Sequence, residues 1–459
     1  MMSSRYRSSS RGRSTRALAA VAALALVAGA CGDDGEVETD DADVDEDVDA
    51  DEDVDADEDA EAAGELEPAD GDVELTIWFG REDFEPGDAF DSFHEEHPNI
   101  TVTTDVIPME TAPEDFIRQH ASGNEPDLVQ APFESAAPLF AQDVLMDITP
   151  IKDWWEEEDP ESFNDIAPVA WEMGEWEGVP YGLTTTIGSV WFNYRVDWFE
   201  EAGIDHPPET YEDVLDAGRE LSDGDRIGFS FPGSRAQAPV SWFLTPFMAM
   251  GGEYDEQNAP QLTSDGGVYL LEFLQTLMRD EIADPATVSW DSGDFRAAYM
   301  GGRAAQAQIG MNILPELNES LEYGEEWLAS AHPVRPGGED EATQQSRGWP
   351  YYVSSNTEYP YETGLVLQYL ADPENQKEVG LRYQPPASIS VSEDPEFLEE
   401  QPWVADLDIE NMTPLPVHER QLEIHEVLLD AMQDALQNPD DDAEEIAARH
   451  QEAIDELNE

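Results

Sequence analysis

An α/β protein with more than one lobe is predicted by three features of the sequence. Apolar strand-like runs alternate with amphipathic helical runs from Val73 onward, the pattern of a mostly parallel sheet covered on both sides by helices. The chain has 459 residues, 40% of them apolar, which is more material than one core usually serves. Glycine and proline punctuate the ends of the runs, as at Gly203 with Pro207 and Pro208, so each run is bounded as a separate element.

Composition narrows the partners. With 106 acidic residues against 21 basic ones the formal net charge is −85, which excludes a polyanion-binding surface, and no nucleic acid is expected. Lysine occurs only at Lys152 and Lys377. A dense carboxylate surface suits an acidic, halophilic habit, because at high ionic strength self-repulsion is screened within a few ångströms, ~3 Å at 1 M.

The amino terminus has Arg5, Arg7, Arg11, Arg13 and Arg16, then an apolar run from Ala17 to Ala30, then the single cysteine, Cys31. Such a run is too short to span a bilayer and reads as an export signal. Ala28-Gly29-Ala30-Cys31 resembles a bacterial lipobox, which implies lipidation of Cys31 after cleavage and a signal peptide over 1–31. A lone cysteine allows no internal disulfide. From 32 to 72 the chain is nearly all Asp, Glu, Ala and Val and is expected to be an acidic, disordered tether. Its Asp-x-Asp-x-Asp stretches lack the glycine that a calcium loop needs, and no metal or other cofactor is expected.

The folded domain is expected over 73–459. Strands are expected at Val73–Trp78, Ile100–Ile107 and Leu128–Ala131, with helices from Ala89 to Glu96 and after Pro113. Ligands of open α/β sheets settle beyond the carboxyl ends of strands. Trp78 and Arg81, after the first strand, and Phe133 and Glu134, after the third, are therefore candidates for one wall of a site. Farther on, a strand is expected at Ile227–Phe231, a helix at about Trp242–Met250, a strand at Gln306–Ile309 leading to Asn312, and amphipathic helices at Leu422–Leu436 and Ala443–Leu457.

The chain is organised around WEGVPYGLTTTIGSVWFNYRVDWFEEAGIDHPPETYEDVL, Trp176 to Leu215. An extended run at Thr184–Thr186 leads to the apolar strand Val190–Tyr194 and the short helix Val196–Ala202. Gly203 then supplies a left-handed stop, and Thr210 with Asp213 forms a capping box. This order resembles the family 1 extracellular solute-binding proteins of ATP-binding-cassette importers. ASGNEPDLV, Phe295 to Ala305 and Gly364 to Glu374 resemble further segments of that family.

The resemblance implies the two-lobe, type II periplasmic-binding-protein-like fold, each lobe a mostly parallel sheet flanked by helices and hinged by crossing segments. It places lobe 1 at about 73–185 and 350–388, and lobe 2 at about 189–346 and 392–459. It implies a sugar-type, maltose-binding-protein-like function without catalysis: a monomer that captures a mono- or oligosaccharide by hinge closure and delivers it to an importer permease. Glu134 stands near a carboxylate that accepts sugar hydroxyls in maltose-binding members. Where many members carry a stacking aromatic this chain has Gly310-Met311-Asn312, so Trp242, Trp290 and Trp349 are the expected stacking residues. Arg347-Gly348-Trp349 begins the return crossing and leads to Tyr351, also a candidate.

Aromatic faces with carboxylates and amides at their edges suit a neutral sugar. An anionic ligand needs Arg or Lys, and Arg81, Arg235, Arg303 and Arg347 are the few near expected loops. Alternatives are a polyamine or other cationic or polyol solute, a secreted glycoside hydrolase using paired carboxylates, and a sensor or adhesin subunit. No G-x-S-x-G or Walker motif appears, and His94 with His97 reads as a surface pair rather than a metal site.

Overall fold

The computed structural model describes residues 66–109, 111–235, 238–338, 344–406, 409 and 412–458. The expected signal peptide, Cys31 and the tether as far as residue 65 lie outside the described residues. Residues 66–72 do not continue as a free tether: Leu66 packs on the core and the Ala69 N–H donates to Glu362 Oε1 at 2.7 Å. An apolar side chain and a fixed backbone donor bring the domain's edge ahead of Val73.

Counting the strands of the two principal sheets in chain order, β1 is Val73–Phe79, β2 Ile100–Val106, β3 Leu128–Gln130 and β4 Gly182–Leu183. β5 is Val190–Tyr194, β6 Gln306–Gly310, β7 Leu328–Ser330 and β8 Tyr351–Val353. The first sheet has the order β2-β1-β3-β8-β4 and the second β6-β5-β7.

In the first sheet β1 pairs parallel with β2, Val73 opposite Ile100, and with β3, Ile77 opposite Leu128. β8 returns antiparallel, Tyr351 opposite Gln130. The second sheet departs from the expected parallel arrangement, since β6 and β7 both run antiparallel to β5. β5 leads away from the crossing at Ser189, and β6 comes back to it, with Gly310 opposite Val190.

Local chemistry explains the other departures. Both oxygens of Asp88 accept backbone N–H groups, from Phe90 at 3.1 Å and Ser92 at 2.9 Å. Ala89 and Phe90 take positive φ there, and the helix runs Asp91–Glu96 rather than from Ala89. Ile227–Phe231 forms no regular strand. Gly228 and Phe229 both donate to Ile282 O, so only Ile227 and Ser230 bridge to the neighbouring chain, at Ala304 and Ala307. The Thr210–Asp213 capping box forms as expected, and Gly203 closes the preceding helix at φ 71°.

Side-chain alternation along β1 divides the first lobe's interior. Leu75, Ile77 and Phe79 face the main core, and Trp78 faces a separate cluster with Phe116, Leu139 and Tyr352. The helix Gln421–Gln437 packs on Ala238–Ala249, Asp265–Arg279 and Ala443–Asp455 of the second lobe, and it also reaches the turn Phe133–Ser135 of the first.

Candidate functional site at the lobe crossing

Three extended segments lie side by side where the chain passes between the lobes. Gly188 and Arg347 exchange backbone hydrogen bonds, each 2.7 Å. On the other side Ile187 N–H donates to Pro385 O at 2.8 Å and Ala387 N–H to Thr185 O at 3.0 Å. The turn after β3 is tied to the Arg347 segment by Phe133 N–H to Gly348 O, 3.1 Å, and the turn after β6 to the Gly188 segment by Met311 N–H to Ser189 O, 3.0 Å. A Cβ at Gly188 would stand 2.6 Å from Gln384 Nε2, so the Gln384 side chain would have to shift to admit one.

Polar side chains gather on this ribbon without partners. Thr186 Oγ1, Gln345 Nε2, Ser346 Oγ, Arg347 Nε and Gln384 Oε1 are buried and have no hydrogen-bond partner among the described residues. A buried polar atom left unpaired costs about 1–3 kcal/mol, and five on three adjoining chain segments make the crossing a candidate place for a polar occupant. Gln345 Oε1, by contrast, is taken by Thr245 Oγ1.

An aromatic wall adjoins the ribbon. Trp349 lies 5.5 Å from Phe84 and 5.9 Å from Tyr383, ring centre to ring centre, Phe84 and Tyr383 meet edge to face at 4.9 Å, and the Arg81 guanidinium sits 4.7 Å over the Tyr383 ring. Glu134 forms an ion pair with Arg347, both side chains mostly buried. Burial pulls the Arg347 guanidinium down to about 10.

His425, on the second-lobe helix, lies within the field of Arg347. Burial first, and that charge second, push its imidazole down to about 4. Its hydrogen bonding agrees. Gln421 Oε1 accepts from His418 N–H, so its amide NH2 faces His425 Nε2 at 2.7 Å and that nitrogen is an acceptor. His332 is fixed in the same neutral state behind β5. Its Nε2 donates to Val190 O at 2.7 Å, its Nδ1 accepts from the Tyr211 hydroxyl at 2.8 Å, and burial pushes it down to about 4.

Both imidazoles take up protons near pH 6.5 in the unfolded chain but only near 4 in the folded one. The unfolded state therefore binds more protons in that window, and stability falls as the pH drops from 6.5 towards 4. The urea midpoint is expected to be lower at about pH 4.5 than at pH 7.5, by a shift equivalent to a few kcal/mol. His332→Gln should flatten the dependence; an unchanged midpoint across the range would contradict the assignment.

Of the candidates read from sequence, Arg81, Phe133, Glu134 and Trp349 come together at the crossing, and Asn312 lies on the turn that is bonded to Ser189. Three are placed otherwise. Trp78 is buried edge to face on Phe116 at 6.5 Å, because it alternates with Phe79 and faces the opposite side of the sheet. Tyr351 is buried against Phe79 at 5.7 Å with its hydroxyl bonded to Thr185, so it fastens the first sheet to the crossing. Trp242 donates to Gln308 O at 2.5 Å and packs on Phe295, and the cavity beside it, about 10 Å³, admits no sugar ring.

Phe84, Tyr383, Gln345, Ser346 and Gln384 were not singled out as site residues. Tyr383 and Gln384 lie in a Tyr-Gln-Pro-Pro stretch whose paired prolines signal an extended crossing, and Ser346 adjoins Arg347; Gln345 and Phe84 carry no comparable signal. His94 is structural, its Nε2 accepting from Val102 N–H at 3.0 Å. Among the described residues no three His, Cys, Asp or Glu side chains gather as metal ligands.

The profile of the bacterial extracellular solute-binding proteins matches residues 82–377, more than half of the chain. The chain belongs to this family. Members bind solutes and are not enzymes, and the described solute-binding domain contains no helix long and apolar enough to cross a membrane.

Solved structures share the two-lobe fold over 84% of the chain. Maltose-bound MalE3 of T. maritima is 20% identical and covered over its whole length, with a TM-score of 0.68. A tagatose-bound solute-binding protein of Thermotoga lettingae is 19% identical and covered over 99%, with a TM-score of 0.67. The acarbose-binding GacH receptor of Streptomyces glaucescens is 18% identical and covered over 98%, with a TM-score of 0.65. Among curated proteins, the probable amino-acid ABC transporter periplasmic-binding protein y4oP of Sinorhizobium fredii is 24% identical over 225 residues, 48% of this chain. The chain spans about half the length of that relative, 50%, and 59% of a putative binding protein of Brucella abortus.

Proposed function

We propose that this solute-binding protein captures a neutral mono- or oligosaccharide at the lobe crossing and delivers it to the permease of an ATP-binding-cassette importer. The observation that carries this reading is the set of five unpartnered polar atoms beside the Trp349–Phe84–Tyr383 wall. Arg347 Nε and Gln345 Nε2 donate, Gln384 Oε1 accepts, and the two hydroxyls do either, a mixture matched by a ring of hydroxyls. The apolar face of a pyranose would pack on the aromatic wall. The sugars bound by the structural relatives point the same way.

A polyamine is less well served, since Glu134, the carboxylate beside the ribbon, is already paired with Arg347. The anionic alternative is equally short of free cations: Arg235 pairs with Glu426 and Asp430, and Arg303 with Asp284. Closure would favour contacts between the lobes such as that of Gln421–Gln437 with Phe133–Ser135. On this reading the chain acts as a monomer, exported by its first 31 residues and anchored to the outer face of the membrane through lipid on Cys31. The acidic run before Leu66 would hold the domain away from that surface, and the acid excess suits a salty medium.

The test is intrinsic tryptophan fluorescence of the full chain, in low and high salt, titrated with mono- and oligosaccharides, amino acids and polyamines. A saturable response to one sugar class, with the sugar recovered unchanged, supports the reading; a response to polyamines or amino acids alone overturns it. For the anchor, the expressed protein should partition into detergent and Cys31→Ser should not; equal partitioning would remove the lipid.

A further inference from the structure

Glu134 is the ion-pair partner of Arg347 at the crossing. The Arg347 side chain leaves its crossing segment, where its backbone is locked to Gly188, and ends against the Glu134 carboxylate. Arg347 is 21% exposed and Glu134 14%, so neither is screened as a surface pair would be. Two further groups on other elements interact with Arg347, His425 and Tyr383. His425 approaches as a neutral imidazole, and Tyr383 as a phenol held protonated by burial. Arg347 Nε, meanwhile, has no partner among the described residues and lies in the same ribbon as the unpartnered Gln345 Nε2 and Gln384 Oε1.

We infer that Glu134 is the specificity-determining residue of the crossing: by neutralising Arg347 it restricts the site to uncharged saccharides, and without it the site takes a saccharide bearing a carboxylate. This rests on the saccharide reading above. The physical reason is the cost of an uncompensated buried charge. With Glu134 present, a uronate carboxylate entering beside Arg347 meets a second carboxylate, and like charges brought together in a desolvated place repel strongly. With glutamine there, the shape is kept and the guanidinium has a free fork that a carboxylate fills bidentately. Glu134 thus acts by repulsion of the wrong ligand, which differs from accepting hydroxyls from the right one.

The test compares the full-length wild type with Glu134→Gln, Arg347→Gln and the double variant, titrated calorimetrically with maltotriose and with glucuronate. Circular dichroism and melting confirm that each is folded. The expected result is at least tenfold tighter glucuronate binding by Glu134→Gln than by wild type, with the gain absent from the double variant. Arg347→Gln, which keeps the carboxylate and loses the cation, should bind glucuronate no better than wild type. A Glu134→Gln protein that is folded and gains nothing for glucuronate overturns the inference, and so does a gain that persists without Arg347. These outcomes are separate from failure of the saccharide reading, which would appear as a wild type silent to maltotriose and every other neutral sugar.

Discussion

At about 10 mM salt the protein is expected to melt on the order of 10 °C below its midpoint in about 2 M NaCl, a loss of roughly 3 kcal/mol at about 2–4 °C per kcal/mol. The cause is the excess of 106 acidic over 21 basic residues. Many basic side chains among the described residues are already paired, as Arg219 with Asp216 and Asp280, Arg449 with Asp434, and Lys377 with Asp394 and Glu396. The remaining carboxylates far outnumber the cations and repel one another in the folded state over a screening length of ~30 Å at 0.01 M but only ~3 Å at 1 M. The check is a melting series in NaCl beside one in sucrose, which strengthens burial without screening charge. Equal stabilisation by both would show that charge repulsion is not the cause.

Trp349→Ala should cost about 3–5 kcal/mol of stability and, at temperatures where the variant remains folded, most of the affinity for the solute. Trp349 is buried between Phe84 and Tyr383, and its backbone N–H is held by Thr184 Oγ1 at 3.3 Å, so its removal opens a cavity at the place where the lobes join. Trp349→Phe keeps a ring in the wall and should recover most of both losses. Urea unfolding separates the structural loss from the binding loss measured by titration. A Trp349→Ala protein that binds as tightly as the wild type would remove the aromatic wall from the site.

Elements whose formation depends on neighbours in sequence were legible before the structure. The Thr210–Asp213 capping box, the Gly203 stop and the apolar strand Val190–Tyr194 all carry their cause within a few residues. What was not legible depends on residues far apart in the chain. The antiparallel course of the second sheet follows from β6 returning to the hinge that β5 leaves. The burial of Trp78 follows from strand alternation against a helix that the sequence does not locate in space.

The candidate site divides in the same way. Arg347 and Trp349 were visible because Arg-Gly-Trp marks a crossing, and Glu134 because it follows a strand end. Their place beside the segments of Thr186 and Gln384 was not visible, because it exists only where three segments separated by more than thirty residues each are laid side by side. In so acidic a chain, moreover, no single Glu stands out until its partner is seen.

The measurement that tests the account most directly is a titration of the wild type and of Gln345→Ala/Gln384→Ala with the neutral saccharide that the wild type prefers, followed by intrinsic fluorescence at matched salt. Each lost hydrogen bond to the ligand is worth about 0.5–1.5 kcal/mol, so removing both amides should weaken binding roughly tenfold to a hundredfold. Gln345→Ala also loses the bond from Thr245 Oγ1 to Gln345 Oε1, so urea unfolding is measured beside the titration and the binding loss is read where the double variant remains folded. A double variant that binds the sugar with undiminished affinity would mean that the solute is held somewhere other than the crossing.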